Sequence, residues 1–231
     1  MTDYDKVIAI DGPGGSGKST IAKTLAFKMG FLYVDTGAMY RALGYFLDLN
    51  KIPFISDDHL KKYLQSIVFR YGVSEDVLVE VSGMNLTEKI REHHVSELAS
   101  KVSKLPFVRE FLFDTQRNLV KDQICVMEGR DIATVIFPGA FCKVFLTASA
   151  KVRAKRRYDQ LISIGKDAVP LNQILEDIKK RDERDSGRDV APLKQAQDAI
   201  LLDTSDLDLN HVIDQMEKIV IQRSRETGFD L

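Results

Sequence analysis

A motif near the start of the chain fixes the order of a strand, a loop and a helix. The β-branched run at residues 7–10 is typical of a buried parallel strand. The residues from Gly12 to Ser19 match the pattern G-x-x-x-x-G-K-[ST], and residues 20–29 have helical composition. A glycine-rich turn can join a strand to a helix without binding anything. The complete pattern in this context nevertheless predicts a phosphate-binding loop.

The residue types of this loop suit a nucleotide phosphate. Glycines allow positive φ angles and close approach of the backbone, and the N–H groups at the helix start attract anions. We expect Lys18 to reach the β- and γ-phosphates and the Ser19 hydroxyl to ligate Mg²⁺. The predicted nucleotide-binding residues are Gly12, Pro13, Gly14, Gly15, Ser16, Gly17, Lys18, Ser19 and Thr20.

Length and charge narrow the class of protein. The 231 residues suffice for one α/β domain with insertions. A net charge of −1 gives no general attraction to nucleic acid or to an anionic membrane, so we expect neither as a partner. No apolar leader or membrane-spanning run is present, which predicts a cytoplasmic protein, and a monomer is the default expectation.

Cys125 and Cys142 lie in apolar runs and are expected to be buried thiols.

Apolar runs alternate with helical stretches along most of the chain. The strand-like runs are residues 7–10, 32–34, 124–127, 144–146 and 200–202. This alternation predicts a doubly wound, five-stranded parallel sheet with helices on both faces. Ligands of such sheets bind at the carboxyl ends of the strands. Polar residues stand there in this chain, at Asp11, Asp35, Thr36, Thr147 and positions 128–131.

One segment departs from this alternation. After a helical stretch at 57–66, the runs at 67–71, 77–81 and 84–86 predict a small antiparallel insert. Helices are predicted at 95–103 and 106–121. The tail helix at 211–225 is amphipathic and is expected to pack on the sheet through Val212, Met216, Ile219 and Val220.

Arginines recur at strand ends and on the later helices. With their polar neighbours they are Tyr40, Arg41, Arg130, Asp131, Arg153, Arg156, Arg157, Arg181, Asp185 and Arg188. A single Arg–Asp pair on a helix is most often a solvated ion pair of little energy. Several such groups favour a second phosphate-bearing ligand, because planar guanidinium groups suit phosphates and offset their repulsion. Arg181, Asp185 and Arg188 share one face if the helix begun at 171 continues that far.

These residues fall in segments that resemble the bacterial cytidylate kinase family. The segments are residues 11–20, 35–41, 129–138, 153–157, 180–185, 191–196 and 202–205. The resemblance runs from Ile8 to about Ser205 in one order. It implies a P-loop nucleoside monophosphate kinase that transfers the γ-phosphoryl group of ATP to CMP or dCMP, with Mg²⁺, in pyrimidine nucleotide metabolism. It also implies one domain over 1–231, with an NMP-binding insert at 57–103 and a helical lid at 150–190.

The resemblance also implies a role for each matching residue. Arg41 and Arg130 would hold the CMP phosphate; Thr36, Arg109, Asp131 and Arg188 would read the cytosine; Ser100, Arg181 and Asp185 would lie at the sugar; and Tyr40 would line the substrate site. Arg153 and Arg157 would belong to the lid and act in catalysis with Lys18 and Arg130. Ala133, Gly139 and Thr36 depart from common family residues, which concerns base and sugar preference rather than the reaction.

Other interpretations remain open from the sequence. One is a kinase of the same scaffold that acts on UMP, AMP, shikimate or dephospho-coenzyme A. Another is a nucleotide-dependent switch, although no Asn-Lys-x-Asp guanine motif is present. The four histidines, His59, His93, His94 and His211, lack metal-ligand spacing and are expected at the surface or in packing. Asp35 and Glu128 are the candidates for holding Mg²⁺ waters.

Overall fold

A computed structural model describes residues 5–74, 76–92, 94–120, 123–163 and 169–231. His93, the last residue of the helix predicted at 106–121, and residues 164–168 of the predicted lid lie outside this set. The chain divides into two compact units, Met1–Val34 with Val120–Leu231, and Asp35–Leu119. No helix in the described ranges combines the length and the apolar character needed to cross a membrane.

The described residues form eight strands and eight longer helices. The strands are β1 (Asp5–Asp11), β2 (Leu32–Asp35), β3 (Phe69–Tyr71), β4 (Val79–Val81), β5 (Met84–Asn85), β6 (Cys125–Gly129), β7 (Ala140–Thr147) and β8 (Ile200–Asp203). The helices are α1 (Lys18–Met29), α2 (Thr36–Leu49), α3 (Asp58–Ser66), α4 (Val95–Val102), α5 (Pro106–Asn118), α6 (Ala150–Ser163), α7 (Leu171–Ser186) and α8 (Leu209–Thr227). Two short turns of helix, Lys89–Arg91 and Ile132–Ile136, complete the set.

The first unit is built on a five-stranded sheet with the order β2-β6-β1-β7-β8. Strand β1 pairs in parallel with both β6 and β7, and β7 pairs in parallel with β8. Asp11, the last residue of β1, is level with Gly129 of β6 and Phe145 of β7. The phosphate loop and the segment that begins with Arg130 therefore leave the sheet at the same edge. This sheet confirms the predicted fold class.

The core of this unit packs α1 and α8 against the central strands. Met216 and Val220 of α8 are fully buried with Ile8 and Val144 of the sheet, which confirms the predicted role of the tail helix. The sequence has the β-branched strands and the amphipathic helix that such burial requires. The rings of Phe141 and Phe229 stack with their centroids 4.2 Å apart.

The two cysteines lie on either side of β1. Cys125 is level with Val7 and Cys142 with Ile8, so their side chains point to opposite faces of the sheet. Both are free thiols, and burial raises the pKa of each to about 12. They are therefore unreactive core residues, as predicted.

The second unit contains α2 to α5 and a three-stranded antiparallel sheet in the order β3-β4-β5. Val79 and Val81 of β4 are buried with Ala42 and Phe46 of α2. This sheet confirms the predicted antiparallel insert, with strands shorter than the apolar runs indicated.

Two local features differ from the sequence expectation. Helix α7 ends at Ser186, with Gly187 as its cap, so Arg188 lies beyond the helix that also carries Arg181 and Asp185. Residues 132–136 form a wide turn in which the amide of Phe137 bonds to the carbonyl of Ile132, 2.7 Å away. Wide turns of this kind are rare and frequently occur at functional sites.

Candidate active site

The loop after β1 has the backbone that its glycines predict. Gly12, Gly15 and Gly17 have φ angles of 150°, 79° and 95°. A Cβ atom at Gly12 would stand 2.0 Å from the carbonyl oxygen of Leu146. Glycine is therefore required at position 12 by space as well as by conformation.

Lys18 is folded back onto this loop. Its Nζ donates to the carbonyl oxygen of Pro13 at 2.8 Å and lies 3.5 Å from Oγ of Ser16, which itself donates to Pro13. Burial, followed by the positive charge of Arg130, lowers the pKa of Lys18 well below its usual value. An anion bound beside Lys18 would offset the repulsion from Arg130 and favour the charged form of the amine.

Two arginines of α6 donate hydrogen bonds to carbonyl groups of the loop. Arg153 donates from Nη1 to the carbonyl of Gly14 at 3.0 Å, and Arg156 donates from Nη1 to the carbonyl of Ser16 at 3.4 Å. Arg156 also donates to the hydroxyl and carbonyl oxygens of Thr204, 3.0 and 2.6 Å away. Helix α6, the loop and the end of β8 are thus joined by guanidinium groups.

Arg153 has a second partner that the sequence did not reveal. Its Nη1 and Nη2 donate to the two carboxylate oxygens of Asp182 on α7, at 3.1 and 2.6 Å. Its Nε donates to the carbonyl of Ala148 at 2.8 Å, and only 5% of the side chain is exposed. Spacing could not predict this pair, because its two residues lie on different helices, 29 positions apart in the chain.

Asp185 is a buried carboxylate at the centre of a charge cluster. Arg130 donates from Nε to its Oδ2 at 3.2 Å, Arg188 donates to its Oδ1, and Nε of Arg181 lies 3.9 Å from its Oδ2. Burial raises the pKa of Asp185, but Arg130, Arg188 and Arg181 together outweigh it, so the pKa lies below the usual value. The carboxylate is ionised at neutral pH and organises three positive groups.

This cluster adjoins the phosphate loop. A Cβ atom built on Gly14 would lie 3.4 Å from Nη1 of Arg181 and 3.5 Å from Nη2 of Arg130. The structure therefore brings together four of the predicted substrate residues, Arg130, Arg181, Asp185 and Arg188, beside the loop that carries Lys18. Arg188 reaches the cluster from beyond the helix end.

Carboxylates at the strand ends are also held. Oδ1 and Oδ2 of Asp11 accept the backbone N–H groups of Ile132 and Ala133 at 2.9 and 2.8 Å. Oε1 of Glu128 accepts from the hydroxyl of Tyr33 at 2.9 Å. Both carboxylates are buried, as is that of Asp131.

In the second unit, Arg41 is held by Asp35. Its Nη2 donates to Oδ2 at 2.8 Å, while Oδ1 accepts the amide of Ala38 and caps α2. A Cβ atom at Gly37 would lie 3.0 Å from Oδ1 of Asp35 and 3.1 Å from Nη1 of Arg41, so the glycine makes room for the pair. The amide of Asp35 donates to the Tyr71 hydroxyl at 2.8 Å. Sequence reasoning had marked Arg41 but not Asp35 as its support.

Arg109 and Tyr40 meet in the same unit. The guanidinium carbon of Arg109 is 5.9 Å from the ring centroid of Tyr40, and its Nη1 donates to the carbonyl of Ser103 at 3.4 Å. Thr36 is buried at the start of α2, and the Ser100 carbonyl accepts from the Ser103 hydroxyl at 3.1 Å.

Three predicted residues are more exposed. Arg157 donates to Gln160 of its own helix at 2.8 Å. Ser19 and Thr20 are exposed in the first turn of α1.

Within the described ranges, no group of three or more His, Cys, Asp or Glu side chains is arranged to hold a metal ion.

Comparison with known proteins identifies the family. Residues 8–222 match the family described as cytidylate kinase. The chain belongs to the cytidylate kinase family. A cytidylate kinase of Thermosipho melanesiensis is 43% identical over 218 residues, which cover 94% of this chain and 98% of the relative. One from Carboxydothermus hydrogenoformans is 41% identical over 214 residues, 92% of this chain and 96% of the relative.

A bifunctional pantoate ligase/cytidylate kinase of Prochlorococcus marinus is 44% identical over 215 residues. These residues cover 92% of this chain but 42% of that relative. The predicted family, the P-loop α/β fold and the class of enzyme, an ATP-dependent kinase, are confirmed. The family match also sets aside the interpretation as a nucleotide-dependent switch.

Proposed function

We propose that this protein transfers the γ-phosphoryl group of ATP to CMP and dCMP, forming ADP and CDP or dCDP. Membership of the cytidylate kinase family over residues 8–222 is the observation that carries the proposal. The enzyme would act as a cytoplasmic monomer in pyrimidine nucleotide metabolism, with no nucleic acid or membrane as a partner.

ATP would bind through residues 12–20. The loop glycines and the start of α1 would direct backbone N–H groups to a phosphate, and Lys18 would add its charge. The exposed hydroxyl of Ser19 fits a Mg²⁺ ion, which takes oxygen ligands and is held largely by phosphates and water. Bound there, the metal would neutralise charge on the phosphates.

CMP would bind through the residues that the family resemblance implies. From the first unit, we propose Arg130 for the phosphate, Asp131 and Arg188 for the cytosine, and Arg181 and Asp185 for the sugar. The burial of Asp185 and its three arginine partners support this assignment, because such a cluster holds planar donors in fixed directions.

From the second unit, we propose Arg41 for the phosphate, Thr36 and Arg109 for the cytosine, and Ser100 for the sugar. Tyr40 would line the substrate site. The ion pair of Arg41 with Asp35 and the position of Arg109 over the ring of Tyr40 support these roles, since each guanidinium is already oriented.

The chemistry would rest on positioning and charge neutralisation. The acceptor is a phosphate oxygen that is ionised at neutral pH, so no general base is required. Lys18, Arg130, Arg153 and Arg157 would stabilise the charge of the phosphoryl group during transfer. We propose that residues 57–103 form the CMP-binding insert and residues 150–190 the lid, whose closure would exclude water as a competing acceptor.

The test is an assay of ADP formation with ATP, Mg²⁺ and each nucleoside monophosphate in turn. We expect fast turnover with CMP and dCMP, slower turnover with UMP, and little without an acceptor. Lys18→Ala should remove the activity with every acceptor, which excludes a contaminating kinase. Equal rates with AMP and CMP, or ATP consumption independent of the acceptor, would refute the proposal.

A further inference from the structure

Asp11 is a buried carboxylate for which the proposed function assigns no role. It is the last residue of β1, directly before Gly12 of the phosphate loop, and only 2% of it is exposed. Its two carboxylate oxygens accept the N–H groups of Ile132 and Ala133, more than 120 residues further along the chain. A buried carboxylate in this position has a strong requirement for such donors.

The two N–H groups lie at the start of the wide turn Ile132–Ile136. The first N–H groups of any helical turn have no partner within it and need an acceptor from elsewhere. Asp131 stands at the cap position of this turn but provides no side-chain cap. Asp11 supplies the missing cap from the neighbouring strand, with charged hydrogen bonds to both groups.

The capped turn directly follows Arg130 and Asp131. Strand β6 fixes this segment on one side, since Gly129 is level with Asp11 in the sheet. The cap fixes it on the other side. The backbone of Arg130 and Asp131 is therefore fixed before and after these residues, by the pairing of β6 with β1 and by the hydrogen bonds to Asp11.

We infer that Asp11 is a positioning residue, whose carboxylate sets Arg130 and Asp131 in a fixed relation to the phosphate loop. This inference rests on the proposed function, in which those two residues bind CMP. Asp11 touches neither nucleotide in this scheme. It acts through the backbone of Ile132 and Ala133, and so affects the acceptor more than the donor.

The variant Asp11→Asn tests the inference with the full-length protein. The amide keeps one acceptor oxygen but turns a donor toward the second backbone N–H, so one of the two bonds is lost. We expect the KM for CMP to rise by about tenfold and the KM for ATP to change by less than about threefold, as fits the loss of one charged hydrogen bond. Amide hydrogen exchange at Ile132 and Ala133 should accelerate, while exchange in α1 stays unchanged.

A matched control separates positioning from general stability. Ile213→Ala truncates a buried side chain of α8 and destabilises the same unit by loss of packing. It should leave the KM for CMP unchanged and accelerate amide exchange across the unit, rather than selectively at residues 132 and 133. If Asp11→Asn does not yield folded protein, Asp11→Ser, which also keeps an oxygen acceptor, is measured by the same criteria.

The outcomes distinguish the inference from the proposed function. A wild-type protein that fails to phosphorylate CMP contradicts the proposed function. A wild-type protein that phosphorylates CMP, together with a folded Asp11 variant whose KM for CMP is unchanged, overturns the inference alone. Equal increases of both KM values would also overturn it, because they would place Asp11 in the support of the phosphate loop.

Discussion

The guanidinium group of Arg153 and the carboxylate of Asp182 form a bidentate ion pair, with N–O distances of 3.1 and 2.6 Å. The same guanidinium donates to the carbonyls of Gly14 and Ala148. One side chain therefore joins α6, α7 and the phosphate loop. This geometry requires a planar fork of donors, which lysine does not have.

Arg153→Lys should accordingly lower the free energy of unfolding by about 1–3 kcal/mol, because several acceptors lose their donors. Urea denaturation measures the change. Arg157→Lys is the matched control on the same helix, and we expect a change within about 0.5 kcal/mol there, since its partner is the exposed Gln160. Equal losses in the two variants would contradict the role of the fork.

Arg130→Ala should reduce turnover of CMP by about 100-fold or more, as is typical when a group that stabilises transition-state charge is removed. It also leaves the buried Asp185 with one fewer positive partner. Steady-state assays with saturating ATP measure the effect. Arg225→Ala, an exposed arginine of α8, should keep the parent rate. Turnover of the Arg130 variant at the parent rate would show that the acceptor phosphate binds elsewhere.

Asp131→Ala should relax the choice of base. The carboxylate is proposed to read the cytosine, and a lost polar contact of this kind is worth about tenfold or more in discrimination. We expect the ratio of kcat/KM for CMP to that for UMP to fall by about this factor, with little change in the KM for ATP. An unchanged ratio would rule out the base-reading role of Asp131.

The stability of the protein should depend on the charge of Asp11. Burial raises its pKa from 3.8 to about 6, although the amides of Ala133 and Ile132 lower it and Asp131 and Lys18 act in opposite directions. The folded state therefore binds this proton more tightly than the unfolded state. The protonated carboxyl group stabilises the fold at a pH below 3.8, and this stabilisation is lost as the pH rises through about 6.

The difference in unfolding free energy between the parent and Asp11→Asn measures this contribution. We expect the difference to fall by an amount on the order of 3 kcal/mol between pH 4 and pH 7, because one pKa unit corresponds to about 1.4 kcal/mol. Denaturation curves across this range provide the test. A difference independent of pH would mean that the carboxyl group titrates alike in both states.

Local patterns were enough to predict the elements and the loop. The β-branched strands, the glycines of the loop and the amphipathic α8 each determine their own structure, so the sheet and the insert followed from the sequence. Hydrogen-bonded pairs between distant segments could not be predicted from the sequence. The bonds of Asp182 with Arg153 and of Asp11 with Ala133 depend on register and helix packing, which no spacing rule contains.

The end of α7 illustrates the same limit on a smaller scale. Helical spacing placed Arg181, Asp185 and Arg188 on one face, but the helix ends at Ser186. The three residues still meet, because the buried charge of Asp185 needs several donors and the chain after Gly187 returns Arg188 to it. The grouping was correct for a reason of charge rather than of helical geometry.

The hydrogen bond from the Asp35 amide to the Tyr71 hydroxyl spans 36 positions of the chain. It makes the edge strand of a small three-stranded sheet a mechanical support for the carboxylate that aims Arg41. A movement of that sheet would displace the Tyr71 hydroxyl, and with it Asp35 and the guanidinium group of Arg41. The small sheet therefore influences the orientation of Arg41.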